Sequence, residues 1–126
     1  MKTKDVKLFD NLSLLECDEG SFDLHNDFNC LSLSLKENCM FLNFERISNK
    51  MFLTLKFTKV KLVQVHFNFH TENNSLTVDN LYRGRFESNG SLSEFSNLGQ
   101  SYFYLEFYEG QSIDFFCDEL LIDTSS

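Results

Sequence analysis

The sequence predicts an all-β protein, a single antiparallel β-sandwich or flattened barrel of about eight or nine strands, and three observations carry that expectation. Two segments alternate with a strict period of two: Met51, Leu53, Leu55 and Phe57 share one face of residues 51–57, and Phe103, Leu105 and Phe107 share one face of residues 101–109. The chain is rich in Phe, with 15, and lacks Ala, Pro and Trp. That composition moves away from the best helix former and towards residues that fit a pleated surface. Short polar breaks recur at a spacing near ten residues, with no helical periodicity between them.

In chain order, strands are expected over residues 11–16, 30–36, 40–45, 51–57, 60–69, 76–81, 83–88, 101–109 and 112–117. The breaks carry turn chemistry in Asp18-Glu19-Gly20, Ser48-Asn49-Lys50, Glu72-Asn73-Asn74, Ser88-Asn89-Gly90 and Glu109-Gly110-Gln111. The last of these joins two strongly patterned runs, so residues 102–117 are expected to form a hairpin. Asn89-Gly90 is a strong signal for a positive-φ turn, whereas residues 91–99 are polar and irregular and read as a loop or a short helical turn. In the run 61–70, alternation places Val63, Val65, Phe67 and Phe69 in the core and turns Leu62, Gln64, His66, Asn68 and His70 to water. The 126 residues form one domain, ending in a polar tail at 123–126. That length buries enough apolar surface to fold without disulfides or metal.

The formal net charge of −8 is unevenly placed. Residues 1–63 carry nine basic and nine acidic side chains, whereas residues 64–126 carry only Arg83 and Arg85 against ten acidic ones. Phosphate backbones are repelled by such a half, so nucleic acid is not an expected partner. The acidic surface either serves solubility or matches a basic partner. No apolar stretch approaches the about 20 residues that span a bilayer, so no membrane insertion is expected. The start Met1-Lys2-Thr3-Lys4-Asp5 lacks the apolar run of a secretory signal, which leads to the expectation of a cytoplasmic protein with reduced thiols at Cys17, Cys30, Cys39 and Cys117. Cys30 and Cys117 fall inside apolar strand patterns and read as small core residues.

Constellations for catalysis or metal are weak. His66 and His70 sit one helical turn apart, but on a strand the same spacing separates them by about 13 Å, too far to share an ion. His25, in Asp23-Leu24-His25-Asn26-Asp27, reads as a polar loop histidine, with metal ligation the alternative. The cysteines never form a Cys-x-x-Cys pair, so no metal or other cofactor is expected. Carboxylates cluster at Glu106, Glu109 and Asp114, yet abundance alone does not give the facing pair that glycoside hydrolysis needs. The Cys17–Asp23 stretch only approximates a calcium loop, and there is no nucleophile elbow, phosphate-cradling glycine loop or His-Glu-x-x-His. The chain is therefore expected not to be an enzyme.

The outer face of residues 101–109 reads Tyr102, Tyr104, Glu106, Tyr108. Either this is a central strand covered on both sides, or it presents a tyrosine stripe to a partner. Tyr gives large contact area at low entropic cost. With Glu109 and Asp114 across the hairpin, the candidate partner-binding set is Tyr102, Tyr104, Glu106, Tyr108, Glu109 and Asp114, suited to a protein with a basic surface.

From residue 51 onward, the run Leu55-Lys56-Phe57-Thr58-Lys59-Val60, the alternating segment 62–70, the short strand into Asp79-Asn80-Leu81, and the closing hairpin from Tyr104-Leu105-Glu106-Phe107-Tyr108-Glu109-Gly110 into Ile113-Asp114-Phe115-Phe116-Cys117 resemble small bacterial β-rich families. Among these are immunity proteins of polymorphic toxin systems, and others have no known role. The resemblance implies a small, acidic, cytoplasmic protein that binds rather than catalyses, and it carries no functional residue over. The expectation is a protein-binding module, an immunity-like inhibitor of a basic toxin; the alternative is a carrier with a Phe-lined barrel cavity for a small apolar ligand.

Overall fold

A computed structural model describes residues 1–18, 20–67 and 76–125. Its described residues form twelve strands: β1 (Leu14–Cys17), β2 (Gly20–Asp23), β3 (Phe28–Lys36), β4 (Cys39–Arg46), β5 (Phe52–Phe57), β6 (Lys61–His66), β7 (Val78–Gly84), β8 (Phe86–Ser88), β9 (Ser91–Ser93), β10 (Ser101–Phe107), β11 (Ser112–Cys117) and β12 (Leu120–Ser125). The fold is all-β and every strand pairing is antiparallel. Two four-stranded sheets, ordered β12-β5-β4-β3 and β6-β11-β10-β7, stack on each other, and β1-β2 and β8-β9 are separate two-stranded ribbons.

The stacking follows from the two-residue period. Alternation sends Met40, Leu42 and Phe44 of β4 and Leu53, Leu55 and Phe57 of β5 to one side, and Phe103, Leu105 and Phe107 of β10 with Ile113, Phe115 and Cys117 of β11 to the side that meets it; all are buried in one cluster. Phe57 bridges the layers, with ring centroids 5.0 Å from Phe115 and 6.1 Å from Phe103. Cys30 and Cys117 lie in this core, as their patterns suggested. Arg83 is the one charged residue buried within it among the described residues. Its guanidinium donates to the Val6 carbonyl at 2.6 Å and to Glu94 Oε1 at 3.0 Å while lying over the Phe95 ring, tying the N-terminal segment and the residues after β9 to β7.

The hairpin expected over 102–117 forms as β10-β11, with Ser101 opposite Cys117 and Glu106 opposite Ser112. Asn89 (φ 52°) and Gly90 (φ 80°) both have positive φ, as a two-residue type I′ connection requires. Residues 91–93, expected in a loop or helical turn, instead form β9 against β8. That tight turn returns the chain directly alongside β8, so a polar sequence is enough to complete a short exposed ribbon. A second turn of this kind, Glu37 (φ 52°) and Asn38 (φ 65°), joins β3 to β4. The expected polar tail begins inside β12, where Asp123, Thr124 and Ser125 pair with Thr54, Leu53 and Phe52. Backbone pairing holds a strand irrespective of side-chain polarity when one edge of β5 is otherwise open. β2 and β12 were not foreseen, and the strands expected at 76–81 and 83–88 are divided instead between β7 and β8.

The largest correction concerns β6. Val63, Val65 and Phe67, expected in the core, are 53%, 44% and 40% exposed. β6 is an edge strand, and a bulge leaves Val63 without a partner between Gln64, opposite Asp114, and Leu62, opposite Phe115. The bulge shifts the alternation by one residue. Leu62 and Val65 then align with the inward Phe115 and Ile113, while Lys61 and Gln64 align with the outward Phe116 and Asp114. Phe69, His70 and the expected turn at 72–74 lie outside the described residues.

Candidate functional site

The outer face of the β6-β11-β10-β7 sheet is set by register. Reading across β7, β10, β11 and β6, one row is Gly84, Tyr102, Phe116 and Lys61; the next is Tyr82, Tyr104, Asp114 and Gln64; the third is Asn80, Glu106, Ser112 and His66. Alternation along the central strands, whose other face carries the buried Phe103, Leu105, Phe107, Ile113 and Phe115, therefore places three tyrosines and two carboxylates on one outer surface.

These side chains hold one another. Tyr102 donates its phenol to Asp114 Oδ2, and Tyr104 donates to Glu106 Oε2 at 3.0 Å. The other Glu106 oxygen accepts from Asn80 Nδ2, also at 3.0 Å. The Tyr82 and Tyr104 rings lie 5.5 Å apart, and Phe9, 59% exposed, extends the aromatic surface at 6.2 Å from Tyr82. Gly84 lies under this layer, where a Cβ would make ordinary van der Waals contact with the rings of Tyr82 at 3.4 Å and Tyr102 at 3.6 Å.

Burial first, and the neighbouring carboxylates second, raise the phenols of this face. Partial burial, reinforced by the hydrogen bond to Asp114 and its charge, keeps the Tyr102 hydroxyl well above the ordinary phenol range. Burial with the bond to Glu106 raises Tyr104, and burial with the Asp114 and Glu106 charges raises Tyr82. All three phenols therefore stay neutral around pH 7 and act as hydrogen-bond donors and contact area.

Of the expected set, the structure brings Tyr102, Tyr104, Glu106 and Asp114 together. Tyr108 and Glu109 fall beyond the end of β10 in its turn, where Tyr108 is 73% exposed. Glu109 has a local task, accepting the Thr77 backbone N–H at 2.7 Å and so anchoring the approach to β7. Sequence reasoning missed Tyr82 and Asn80. The signal available for them was the alternation of Asn80, Tyr82 and Gly84, which becomes informative only once β7 is paired with β10. His25 binds the Val78 carbonyl through Nδ1 at 2.7 Å, and Asp23 caps the backbone N–H groups of His25 and Asn26. The hydrogen bonds from Asn26 lead the causes that lower the Asp23 carboxyl below its ordinary value. Among the described residues, no group of three or more His, Cys, Asp or Glu converges to hold a metal ion, and no helix is long and apolar enough to cross a membrane.

No family model matches the chain, and no curated protein matches it.

Proposed function

We propose that this chain is a non-catalytic protein-binding module, an immunity-like inhibitor whose acidic, tyrosine-bearing sheet face covers a basic surface of a toxin. The observation that carries this reading is the half-buried outer face on which Tyr102 donates to Asp114, Tyr104 and Asn80 donate to Glu106, and the Tyr82 ring packs on Tyr104. Such a face offers aromatic area whose rotamers are already fixed, which lowers the entropic cost of association. Its carboxylates supply the charge that steers a basic partner into place, and binding then blocks the partner sterically. The ring-against-ring packing of Phe57, Phe103 and Phe115 supports this reading over a carrier with an interior cavity.

The test uses the product of the coding region immediately upstream, co-expressed with this chain. Neutral isosteres Glu106→Gln and Asp114→Asn preserve shape and remove charge. In the double variant the association rate at low salt falls by about tenfold and its salt dependence flattens. An unchanged rate and salt slope, or no complex with that product, defeats the proposal.

A further inference from the structure

Next to the tyrosine row, the same outer surface opens into a groove of about 630 Å³. That volume lies within the roughly 300–1,000 Å³ typical of small-molecule sites. Its floor is aromatic. Tyr102 and Phe116 face each other across the β10-β11 hairpin with centroids 5.5 Å apart, and Phe86 of β8 meets Phe116 edge-on at 4.8 Å. The segment after β9 forms the far wall, where Phe95 and Leu98 are left exposed, Leu98 to 83%.

Two cations border this apolar floor. Lys61 stands opposite Phe116 in the strand register, and Arg85 immediately precedes Phe86. Both are exposed, and among the described residues neither forms an ion pair. The one contact of the Arg85 guanidinium with a ring is to Phe9, at 5.9 Å, which leaves its N–H donors open. Glu87 also borders the groove, one residue after Phe86 as Arg85 is one before it, so the lining carries two cations and one carboxylate. A lining with two cations against one carboxylate stands out on a chain of net charge −8, where the only other basic residue after position 63 is the buried Arg83.

We propose that this groove binds a small aromatic acid: a flat apolar body against Phe86 and Phe116, with a carboxylate or sulfonate held by Lys61 and Arg85. An aromatic body gains from edge and stacked ring contacts, and a planar guanidinium can take an anionic group through two parallel N–H donors. An inorganic anion would leave the aromatic floor unused, and a neutral hydrocarbon would leave both cations unused. The groove shares Tyr102 with the acidic face, but its charged residues are different ones.

The experiment titrates the full chain with 8-anilinonaphthalene-1-sulfonate and, in parallel, with N-phenyl-1-naphthylamine, which has the same aromatic body without the sulfonate. The sulfonate is expected to bind with one-to-one saturation and to shift the amide resonances of Phe86, Tyr102 and Phe116. In Lys61→Gln/Arg85→Gln, whose exposed positions leave folding intact, its affinity falls by about tenfold while the neutral compound changes by less than about twofold. Unaltered thermal unfolding of that variant separates lost binding from lost fold. Non-saturating binding, equal affinity in the double variant, or resonance shifts confined to another surface overturns the proposal. So does a groove that takes acidic peptides while turning small aromatic acids away.

Discussion

β10 and β6 belong to the same sheet and carry the same alternating apolar signal, but their surroundings are opposite. β10 is hydrogen-bonded on both edges; Phe103, Leu105 and Phe107 are buried against the other sheet, and its outward Tyr102 and Tyr104 are half-covered by aromatic neighbours. Among the described residues β6 has one neighbour, β11, and every one of its six residues is exposed. Alternation therefore reports that a segment is a strand, while strand order decides whether its apolar face is covered. An uncovered edge invites pairing with other chains, and β6 carries two features that temper it: Lys61 at its start and the bulge at Val63.

The sharpest way to break this contrast is truncation on the two strands. Phe103→Ala should cost about 3–5 kcal/mol, because the cavity lies where Phe57 and Phe115 cannot close it. Val65→Ala on the edge should cost less than about 1 kcal/mol. Chemical denaturation of both variants measures the gap, and similar losses would show β6 to be as covered as β10.

A smaller effect comes from the thiols of the covered layer. Burial pushes Cys30 up to about 12 and raises Cys117 further. A folded-state value above the unfolded one, near 9, means that the folded protein holds protons the unfolded chain releases. The associated stability is complete below pH 9 and declines as pH rises from 9 towards 12, by about 1.4 kcal/mol per pH unit for each thiol. The raised phenols of Tyr82, Tyr102 and Tyr104 act in the same direction at higher pH. Denaturation midpoints measured from pH 8 to 11 should therefore fall less steeply in Cys30→Ala, relative to its own midpoint at pH 8, than in the parent chain. A slope identical in the two would place Cys30 in contact with water.

The smallest expected change in stability is Val63→Lys with Val65→Lys, within about 0.5 kcal/mol. Its larger consequence is on association: charges on an open edge oppose strand addition, so light scattering over a concentration series should show less self-association in the variant than in the parent chain, and more in the variant would show that β6 is not an open edge.

The legible part of the fold was local. The period of two in 51–57 and 101–109, the Glu109-Gly110 turn and Asn89-Gly90 identify β5, β10, β11 and the β8-β9 turn, because backbone pleat and positive φ act on adjacent residues. β9 and Asp123–Ser125 of β12 were obscured, since their polar side chains carry no apolar signal and their pairing comes from the open backbone of β8 and β5. In the candidate site, Tyr102, Tyr104, Glu106 and Asp114 were readable from one hairpin, whereas Tyr82, Asn80 and Lys61 border it from strands whose order no local pattern encodes.

By itself, the sequence determined that this chain is β-structured, that the alternating apolar residues of 51–57 and 101–107 form an interior and that its second half is acidic. Only the tertiary structure decided that β6 is an edge and that a bulge shifts its alternation. It also decided that cations from position 61 and position 85 border one aromatic groove. The physical reason is that side-chain direction follows from neighbouring dihedrals, while cover and charge juxtaposition depend on which distant strands hydrogen-bond side by side.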